Sequence, residues 1–299
     1  MTDITILTCK AYFAPKTPSA YTDNILLEYR LLKEALERIG LKVERTYWDD
    51  PNYDWSQTRA VVFRTIWDYF ERFEEFWPWL QFIETKTKLI NPMSLIEWNI
   101  DKAYLFDLEK RGIPVVPSVL VKKGRSQNLI EITRSMNWTD LVVKPTIAGG
   151  GYLTYKYSYA ELAGHQAQFD DLVAERDMLV QGYISSITEK GEASLMVFGG
   201  EFTHSILKRA KTGDFRVQDD FGGSVHPYEH SPDEVLLAQK VMAQCPEVPA
   251  YGRVDIVWDD NNQPMVSELE IIEPELWVRQ APWAADHFAR AIAAQLKPA

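Results

Sequence analysis

The sequence has little of what marks nucleic-acid-binding or membrane-spanning proteins. Its 299 residues include 32 Lys and Arg against 43 Asp and Glu, which gives a formal net charge of −11. A general nucleic-acid binder needs a basic face, so this charge balance argues against that class. No run of eighteen apolar residues occurs, and the first residues lack a basic segment followed by an apolar stretch. We therefore expect no membrane association and a cytoplasmic location.

Cysteine is also scarce. Cys9 and Cys245 are far apart and match no zinc or redox spacing. We expect both to be buried, reduced and without a catalytic role. Aromatic residues are plentiful by contrast, with 10 Trp, 14 Tyr and 13 Phe, and they supply the large side chains of a sizeable core.

The first ninety residues read as an α/β unit. Short apolar runs alternate with helical patterns, which predicts a parallel sheet covered on both faces. Thr22 or Asp23 is expected to cap the first long helix, and Gly40 to end it. Asn91-Pro92 is typical of a turn and predicts a boundary.

The second half changes to an α+β pattern. Two β-rich runs, 192–198 and 202–209, flank Gly199-Gly200 and predict a hairpin. The runs 251–258 and 264–272 predict another antiparallel pair. The fold class is therefore α/β followed by α+β.

Three carboxylates are expected to meet on the last hairpin. Period-two alternation places Glu268 and Glu270 on one face of their strand, and antiparallel pairing would bring Asp255 beside them. Clustered carboxylates repel one another unless a cation lies among them, and Mg²⁺ prefers oxygen ligands. The pattern favours a magnesium site over the alternative, a solvated acidic strand face.

A lysine and three glycines suggest an anion site. Lys144 ends the apolar strand LVVKP, and Gly149, Gly150 and Gly151 follow in the glycine loop (residues 148–151). Backbone N–H groups free of side chains can close over an anion, although many hairpin turns also contain glycines. A buried ammonium at a strand end is costly without an anion. The segment is not a Walker pattern.

Further cations are weaker candidates. Lys102 is expected in the first turn of a helix near 101–111, where a purely structural lysine is disfavoured, although an ordinary surface lysine is the alternative. Lys208 and Arg216 lie in or beside a stretch of mixed charge. They could contact a bound anion, or the stretch could be an ordinary solvated surface loop. Arg253 would share the face of Asp255, where it could hold a phosphate or a carboxylate.

Taken in order, these segments resemble the ATP-grasp superfamily over about residues 90–275. The resemblance rests on NPxxxxxWNxDK at 91–102, VVKP with its glycine loop, LVQGYI at 179–184, GRVDIV at 252–257 and ELEIIEP at 268–274. Within the superfamily, the sequence resembles the branch that contains the cycloserine-biosynthesis cyclo-ligase acting on O-ureido-serine. It also resembles prokaryotic glutathione synthetase and the RimK ligases. The resemblance implies an ATP-grasp fold with an N-terminal Rossmann-like unit (1–93) and two α+β subdomains (94–180 and 181–299) that enclose ATP.

The resemblance also implies roles for matching residues. Lys102, Lys144 and the glycine loop are expected to contact the ATP phosphates. The residues expected to form the hinge that reads the adenine edge are Gln181, Gly182, Tyr183 and Ile184. Glu189 or Glu192 is expected to hold the ribose. Those expected at the reacting centre are Lys208, Arg216 and Arg253, with Asp255, Glu268 and Glu270 binding one or two Mg²⁺, or Mn²⁺ in its place. Two departures stand out: many members have Asn where this chain has Glu270, and a Glu is common at Gly182.

The implied reaction joins a small carboxylate to an amine. The carboxylate attacks the γ-phosphate, the glycine loop protects the acyl phosphate from water, and the amine then attacks it while an Arg stabilises the oxyanion. An amino-acid-like substrate is expected, ring closure within one molecule is one version, and a homodimer is common among relatives. The rivals are a small-molecule kinase, a nucleotide-binding module without turnover, and a purely structural α/β protein.

Substrate residues are expected partly in the N-terminal unit. Arg64 and Asp68 follow a parallel strand, at the edge where α/β sheets place ligands, and would bind a substrate carboxylate and ammonium. A salt-bridged loop is the alternative. His204 is expected to touch substrate, with a structural histidine as its alternative.

Overall fold

The computed structural model describes residues 1–218 and 221–296, which form three β-sheets from successive stretches of chain. The first sheet lies within residues 2–90, the second within 118–182 and the third within 192–270. None of the helices in these described ranges is long and apolar enough to span a membrane.

The first sheet is parallel, with strand order β2-β1-β3-β4. Its central strands are almost completely buried, because helices cover both faces of a parallel sheet. This confirms the predicted α/β unit. Its elements are β1 (Thr2–Thr8), α1 (Lys10–Phe13), α2 (Ala20–Arg38), β2 (Val43–Tyr47), β3 (Thr58–Thr65), α3 (Phe73–Glu84) and β4 (Lys88–Ile90).

The N-terminus of α2 lies earlier than expected. Ser19, not Thr22 or Asp23, is the N-cap: its backbone is extended and its hydroxyl accepts from the Thr22 N–H at 3.1 Å. The Thr22 hydroxyl accepts in return from the Ser19 N–H at 2.9 Å, which completes a capping box. Gly40 follows the helix with φ +86°, as predicted for a C-terminal glycine.

The second sheet is antiparallel, with order β5-β8-β6-β7. The helices α6 and α7 contact each other, and their apolar side chains join those of the sheet in one core cluster. The elements from the first sheet to the end of the second are α4 (Met93–Asn99), α5 (Tyr104–Lys110), β5 (Ser118–Val121), α6 (Leu129–Ser135), β6 (Asp140–Pro145), β7 (Tyr155–Ser158), α7 (Leu162–Glu175) and β8 (Met178–Gly182).

The third sheet is antiparallel, with order β11-β10-β9-β12-β13. Both predicted hairpins are present, and the first turns at Gly199 and Gly200, which have φ +58° and +86°. The remaining elements are α8 (Ser186–Glu189), β9 (Glu192–Phe198), β10 (Glu201–Arg209), β11 (Ser224–Pro227), α9 (Pro232–Ala243), β12 (Tyr251–Trp258), β13 (Pro264–Glu270) and α10 (Ala284–Leu296).

Helix α10 returns to the first unit. It packs against α2, and Phe288 lies in a core cluster with Leu32, Leu36 and Tyr251. The last helix therefore connects the N-terminal unit to the third sheet through a shared apolar core. The division at residues 93 and 180 stays a prediction, and β8 crosses its second boundary.

Candidate active site

A cavity of about 490 Å³ lies where the three sheets approach one another. All three contribute side chains: the segments after β1 and β3, the strands β6 and β8, and the inner face of β9, β10, β12 and β13. Its volume falls within the range of small-molecule sites. The predicted site residues that line it are Lys102, Lys144, Gly149, Gly150, Gly151, Gln181, Gly182, Tyr183, Ile184, Glu192, Lys208, Arg216, Arg253, Asp255, Glu268 and Glu270.

Acidic and basic side chains alternate across β12 and β13. Asp255 pairs in register with Glu268, and Arg253 with Glu270, so all four lie on the face predicted from the sequence. Arg253 donates to Asp255 through Nε (2.9 Å to Oδ1) and Nη2 (2.7 Å to Oδ2), and also to Glu270. Lys208 Nζ adds a second cation 3.3 Å from Asp255 Oδ2. The wall is thus a compact ion-pair network.

The two ends of this network differ in charge compensation. Burial alone would raise the pKa of Asp255, but Arg253 and Lys208 outweigh it and lower that pKa to about 2. Burial raises the pKa of Glu270 to about 8, and Glu268 and Asp255 add to this against the pull of Arg253. Negative charge is therefore fully compensated at Asp255 and under-compensated at Glu270.

Of the three carboxylates predicted to bind magnesium, Glu268 and Glu270 are the best placed to do so. The side chains of Glu268 and Glu270 are about a quarter exposed towards the cavity, and their mutual repulsion would be relieved by a divalent cation. Asp255 is 1% exposed and is enclosed by Arg253, Lys208 and Ser194. Within residues 1–218 and 221–296, no three metal-ligating side chains are already arranged around one point. Asp255 thus lies where predicted but acts as a partner of cations.

The two predicted phosphate lysines approach from the opposite side. Lys102 lies 3.1 Å from Glu268 and donates to the Ala148 carbonyl at 2.5 Å. It precedes α5 instead of lying in its first turn, and its backbone N–H donates to the Thr146 carbonyl at 2.9 Å. Lys144 has no carboxylate within 4.0 Å in the described parts of the chain, and burial lowers its pKa. This uncompensated cation faces the cavity and is suited to an anionic ligand.

The glycine loop needs backbone conformations that glycine adopts readily. Gly150 and Gly151 have φ +55° and +74°, so side chains there would be strained. Arg216 lies beyond it, paired with Asp214 at 2.8 Å and stacked on Phe221 at 3.7 Å. The loop therefore lines the cavity beside both lysines with backbone alone, which suits an anion.

The hinge explains one departure from the expected motif. A Cβ atom at Gly182 would lie 2.7 Å from Nε1 of Trp138, so a Glu does not fit there. Gln181 donates to the Ser118 hydroxyl at 2.8 Å, while Tyr183 and Ile184 line the cavity with it. Apolar cavity walls of this kind suit a flat heterocycle.

The structure separates the two candidates for the ribose. Glu192 is buried at the cavity wall and accepts from Ser267 at 3.1 Å. Glu189 is exposed at the end of α8 and does not line the cavity. The position of Glu192 is suited to a ligand hydroxyl, and that of Glu189 is not.

Comparison with known proteins agrees with this geometry. Residues 108–275 match the RimK-like ATP-grasp domain family, and residues 4–91 match the family described as the D-cycloserine synthetase DcsG N-terminal domain. The cycloserine biosynthesis protein DcsG of Streptomyces lavendulae is 34% identical, over 89% of this chain and 93% of that protein. The chain belongs to the RimK-like ATP-grasp family.

Solved structures agree with the ATP-grasp assignment. The crystal structure of D-cycloserine synthetase DcsG matches with TM-score 0.86 and 29% identity, over 98% of this chain and 99% of that one. A D-alanine–D-alanine ligase from Bacillus anthracis, complexed with ATP, matches with TM-score 0.62 and 15% identity over 99% and 97%, which concerns the fold alone. This ATP-grasp protein is an ATP-dependent ligase that forms a carbon–nitrogen bond.

The three predicted substrate residues, Arg64, Asp68 and His204, do not line the cavity between the three sheets. Arg64 is buried above the Tyr251 ring and lines a separate small cavity, where its Nη1 has no hydrogen-bond partner among the described residues. Asp68 accepts from Trp48 Nε1 at 2.8 Å and from Arg72 at 3.1 Å, which matches the salt-bridged alternative. Neither side chain lines the cavity between the three sheets.

His204 is also placed differently from the expectation. Nε2 lies 2.8 Å from the Leu276 carbonyl oxygen and Nδ1 lies 2.9 Å from the Thr203 hydroxyl. Burial lowers its pKa to about 4, so the ring is neutral. Both ring nitrogens contact groups of the protein itself. His204 is therefore a structural histidine, which was the alternative to contact with substrate.

The cavity contains residues that sequence reasoning missed. Tyr12, Tyr21 and Trp67 form mutual ring contacts with centroids 5.8 to 6.3 Å apart. The rule that ligands meet the carboxyl ends of parallel strands points to their segments, although it selected Arg64 and Asp68. The other missed residues are Phe70, Glu71, Glu273, Glu275 and Trp277.

Proposed function

We propose that the chain is an ATP- and Mg²⁺-dependent carboxylate–amine ligase acting through an acyl phosphate. The observation that carries this proposal is the opposition of charges in one cavity. Lys144 is a buried cation beside a glycine loop, with no carboxylate within 4.0 Å among the described residues, and it faces a wall where Glu268 lies beside Glu270, whose pKa burial raises. Phosphates suit the first feature and a divalent cation suits the second.

ATP is proposed to lie between the second and third sheets. Lys102, Lys144 and the backbone of the glycine loop would contact its phosphates. Gln181 to Ile184 would read the adenine edge, and Glu192 would accept from the ribose hydroxyls. Each group lines the same cavity, so one nucleotide can reach all of them.

Magnesium is proposed to be held by Glu268 and Glu270, and Mn²⁺ should substitute because it prefers similar ligands. When bound, the ion would neutralise phosphate oxygens during transfer. Arg253 orients Glu270, and Lys102 orients Glu268, through the contacts described above. Lys102 and Lys144 also lower the pKa of Glu268, whereas the pKa of Glu270 stays raised despite Arg253.

The chain's cations would bring the reacting groups together. A substrate carboxylate oxygen attacks the γ-phosphorus, a new C(O)–O–P linkage forms, and the bond to the ADP oxygen breaks. An amine then attacks the acyl carbon and loses a proton, and inorganic phosphate leaves. Arg253, Lys208 and Arg216 would stabilise the oxygens that gain charge in these steps.

The proposed substrate is a small amino-acid derivative. The similarity to a cycloserine biosynthesis protein supports this class, and ring closure between two ends of one molecule is the version we favour. The predicted homodimer is retained as part of the proposal, and light scattering at micromolar concentration tests it.

The test is a screen of amino acids and their O-substituted derivatives for release of ADP and phosphate. We expect release with Mg²⁺ and an active acid, and loss of release in the Glu268→Gln plus Glu270→Gln variant. Phosphate retained on the organic product would identify a kinase instead. ATP binding that needs no metal and is unchanged in the double variant would refute the metal assignment.

A further inference from the structure

Phe70 from the N-terminal unit contacts the glycine loop directly. A Cβ atom at Gly149 would lie 2.9 Å from Cε1 and 3.1 Å from Cδ1 of Phe70. The ring of Tyr152, which directly follows the loop, lies 5.4 Å from that of Phe70. The first two distances mean that the Phe70 ring leaves no room for a side chain at Gly149, and the ring separation is that of packed aromatic side chains. The loop is therefore supported by a residue from outside its own sheet.

A second aromatic ring supports the other end of the loop. A Cβ atom at Gly151 would lie 2.8 Å from Cε2 of Phe221, and Arg216 stacks on that ring. The loop thus lies between Phe70 and Phe221. Phe221 belongs to the same half of the molecule as the nucleotide side of the cavity, whereas Phe70 belongs to the first sheet's unit.

The turn that carries Phe70 is held firmly. Asp68 accepts from Trp48 and Arg72, and the Trp67 indole donates to the Glu273 carbonyl at 3.0 Å. Trp67 itself lines the cavity. The contact from Phe70 therefore comes from a turn that is anchored within the N-terminal unit and to the segment after β13.

We propose that Phe70 is a positioning residue that holds the glycine loop closed over the nucleotide phosphates. The proposal rests on the proposed function, since it takes the loop to cover ATP. Opening the loop separates Gly149 and Tyr152 from the Phe70 ring and exposes apolar surface, which favours the closed position. Nucleotide release is thereby tied to the N-terminal unit.

The first test measures nucleotide release. The probes are a fluorescent ADP analogue for dissociation rates and a non-hydrolysable ATP analogue for affinity, both with Mg²⁺. Phe70→Ala should raise the dissociation rate about tenfold, a change worth about 1.4 kcal/mol, and leave the association rate within threefold. Phe70→Tyr, which keeps the ring, should behave like wild type. Phe82→Ala, which truncates an exposed Phe elsewhere in the same unit, should change neither rate.

The second test asks whether Phe70 and Gly149 act together. Gly149→Ala should weaken binding of the ATP analogue about tenfold, because its methyl group would collide with the ring. In the Phe70→Ala background the same change should have less than a twofold effect. Gly164→Ala, whose added methyl meets nothing within 4 Å, is the control in both backgrounds.

The outcomes separate the two proposals. Failure of the wild type to bind either nucleotide would overturn both. Normal wild-type binding, with a Phe70→Ala dissociation rate within twofold and independent effects of the two substitutions, would overturn only the role of Phe70. Thermal unfolding of each variant, with a melting temperature near that of wild type, shows that the rates belong to folded protein.

Discussion

Two unlike walls face each other across the cavity. The wall from β9, β10, β12 and β13 is charged and tightly paired, with Arg253 and Asp255 only 6% and 1% exposed. The wall from the N-terminal unit is largely aromatic, with Tyr12, Tyr21 and Trp67 in mutual contact. The charged wall suits phosphate transfer, which needs preorganised charges. The aromatic wall suits recognition of a small organic substrate, which needs shape.

The walls also differ in how their residues are fixed. On the charged wall each side chain is positioned by strand register and by an opposite charge on the next strand. On the aromatic wall the residues follow strands and are fixed by ring contacts and by bonds such as Trp67 to Glu273. The charged wall should therefore respond to substitution by losing stability, and the aromatic wall by losing substrate affinity.

Arg253→Ala should give the largest effect. It leaves Asp255 buried without its main partner, which costs about 3–5 kcal/mol in the free energy of unfolding. Arg59→Ala is the control in the N-terminal unit, where the pair with Asp3 is partly exposed and should contribute at most about 1 kcal/mol. Urea unfolding measures both. Equal losses in the two variants would show that the buried network of the charged wall contributes no more to stability than a partly exposed ion pair.

His204 should make stability fall with acid. Its pKa is about 4 in the folded protein and near 6.5 unfolded, so only the unfolded chain binds the proton between these values. Its contribution is complete above pH 6.5 and is lost as the pH falls, to a limit of about 3 kcal/mol near pH 4. Urea unfolding of wild type and His204→Gln, at pH 7.5 and 5, checks this. A fall of equal size in both would show that His204 is not its source.

Lys144→Met should weaken Mg-nucleotide binding about a hundredfold, because it removes the uncompensated cation from a buried site. Arg64→Met, in the N-terminal unit, removes a buried cation that does not line this cavity. It should leave nucleotide affinity unchanged. Calorimetric titration with ADP and Mg²⁺ gives both dissociation constants, and a comparable loss in Arg64→Met would place that residue on the nucleotide side.

Trp67→Leu should have the smallest effect, and a selective one. We expect the KM for the active acid to rise about tenfold, the loss of roughly one good contact. Nucleotide affinity should fall by less than threefold, because Asp68 still holds the turn that carries Phe70 through Trp48 and Arg72. Trp283→Leu, which alters an exposed indole outside the cavity, is the matched control. A loss of nucleotide affinity as large as the rise in KM would mean that the aromatic wall does not act selectively on the substrate.

The sequence by itself determined the charged wall. Asp255, Glu268, Glu270 and Arg253 are placed by strand periodicity and a single hairpin, so short-range rules were sufficient. Lys144 and the glycines that follow it are adjacent in the chain and could be predicted together for the same reason.

Only the tertiary structure decided the aromatic wall and the exact partners. Arg64, Trp67 and Asp68 lie within five residues, but Arg64 belongs to β3, whereas Trp67 and Asp68 lie in a turn held by contacts with Glu273, Trp48 and Arg72. His204 likewise depends on Leu276, 72 residues away. Contacts between distant segments choose which side chain faces the cavity, and local periodicity carries no information about that choice.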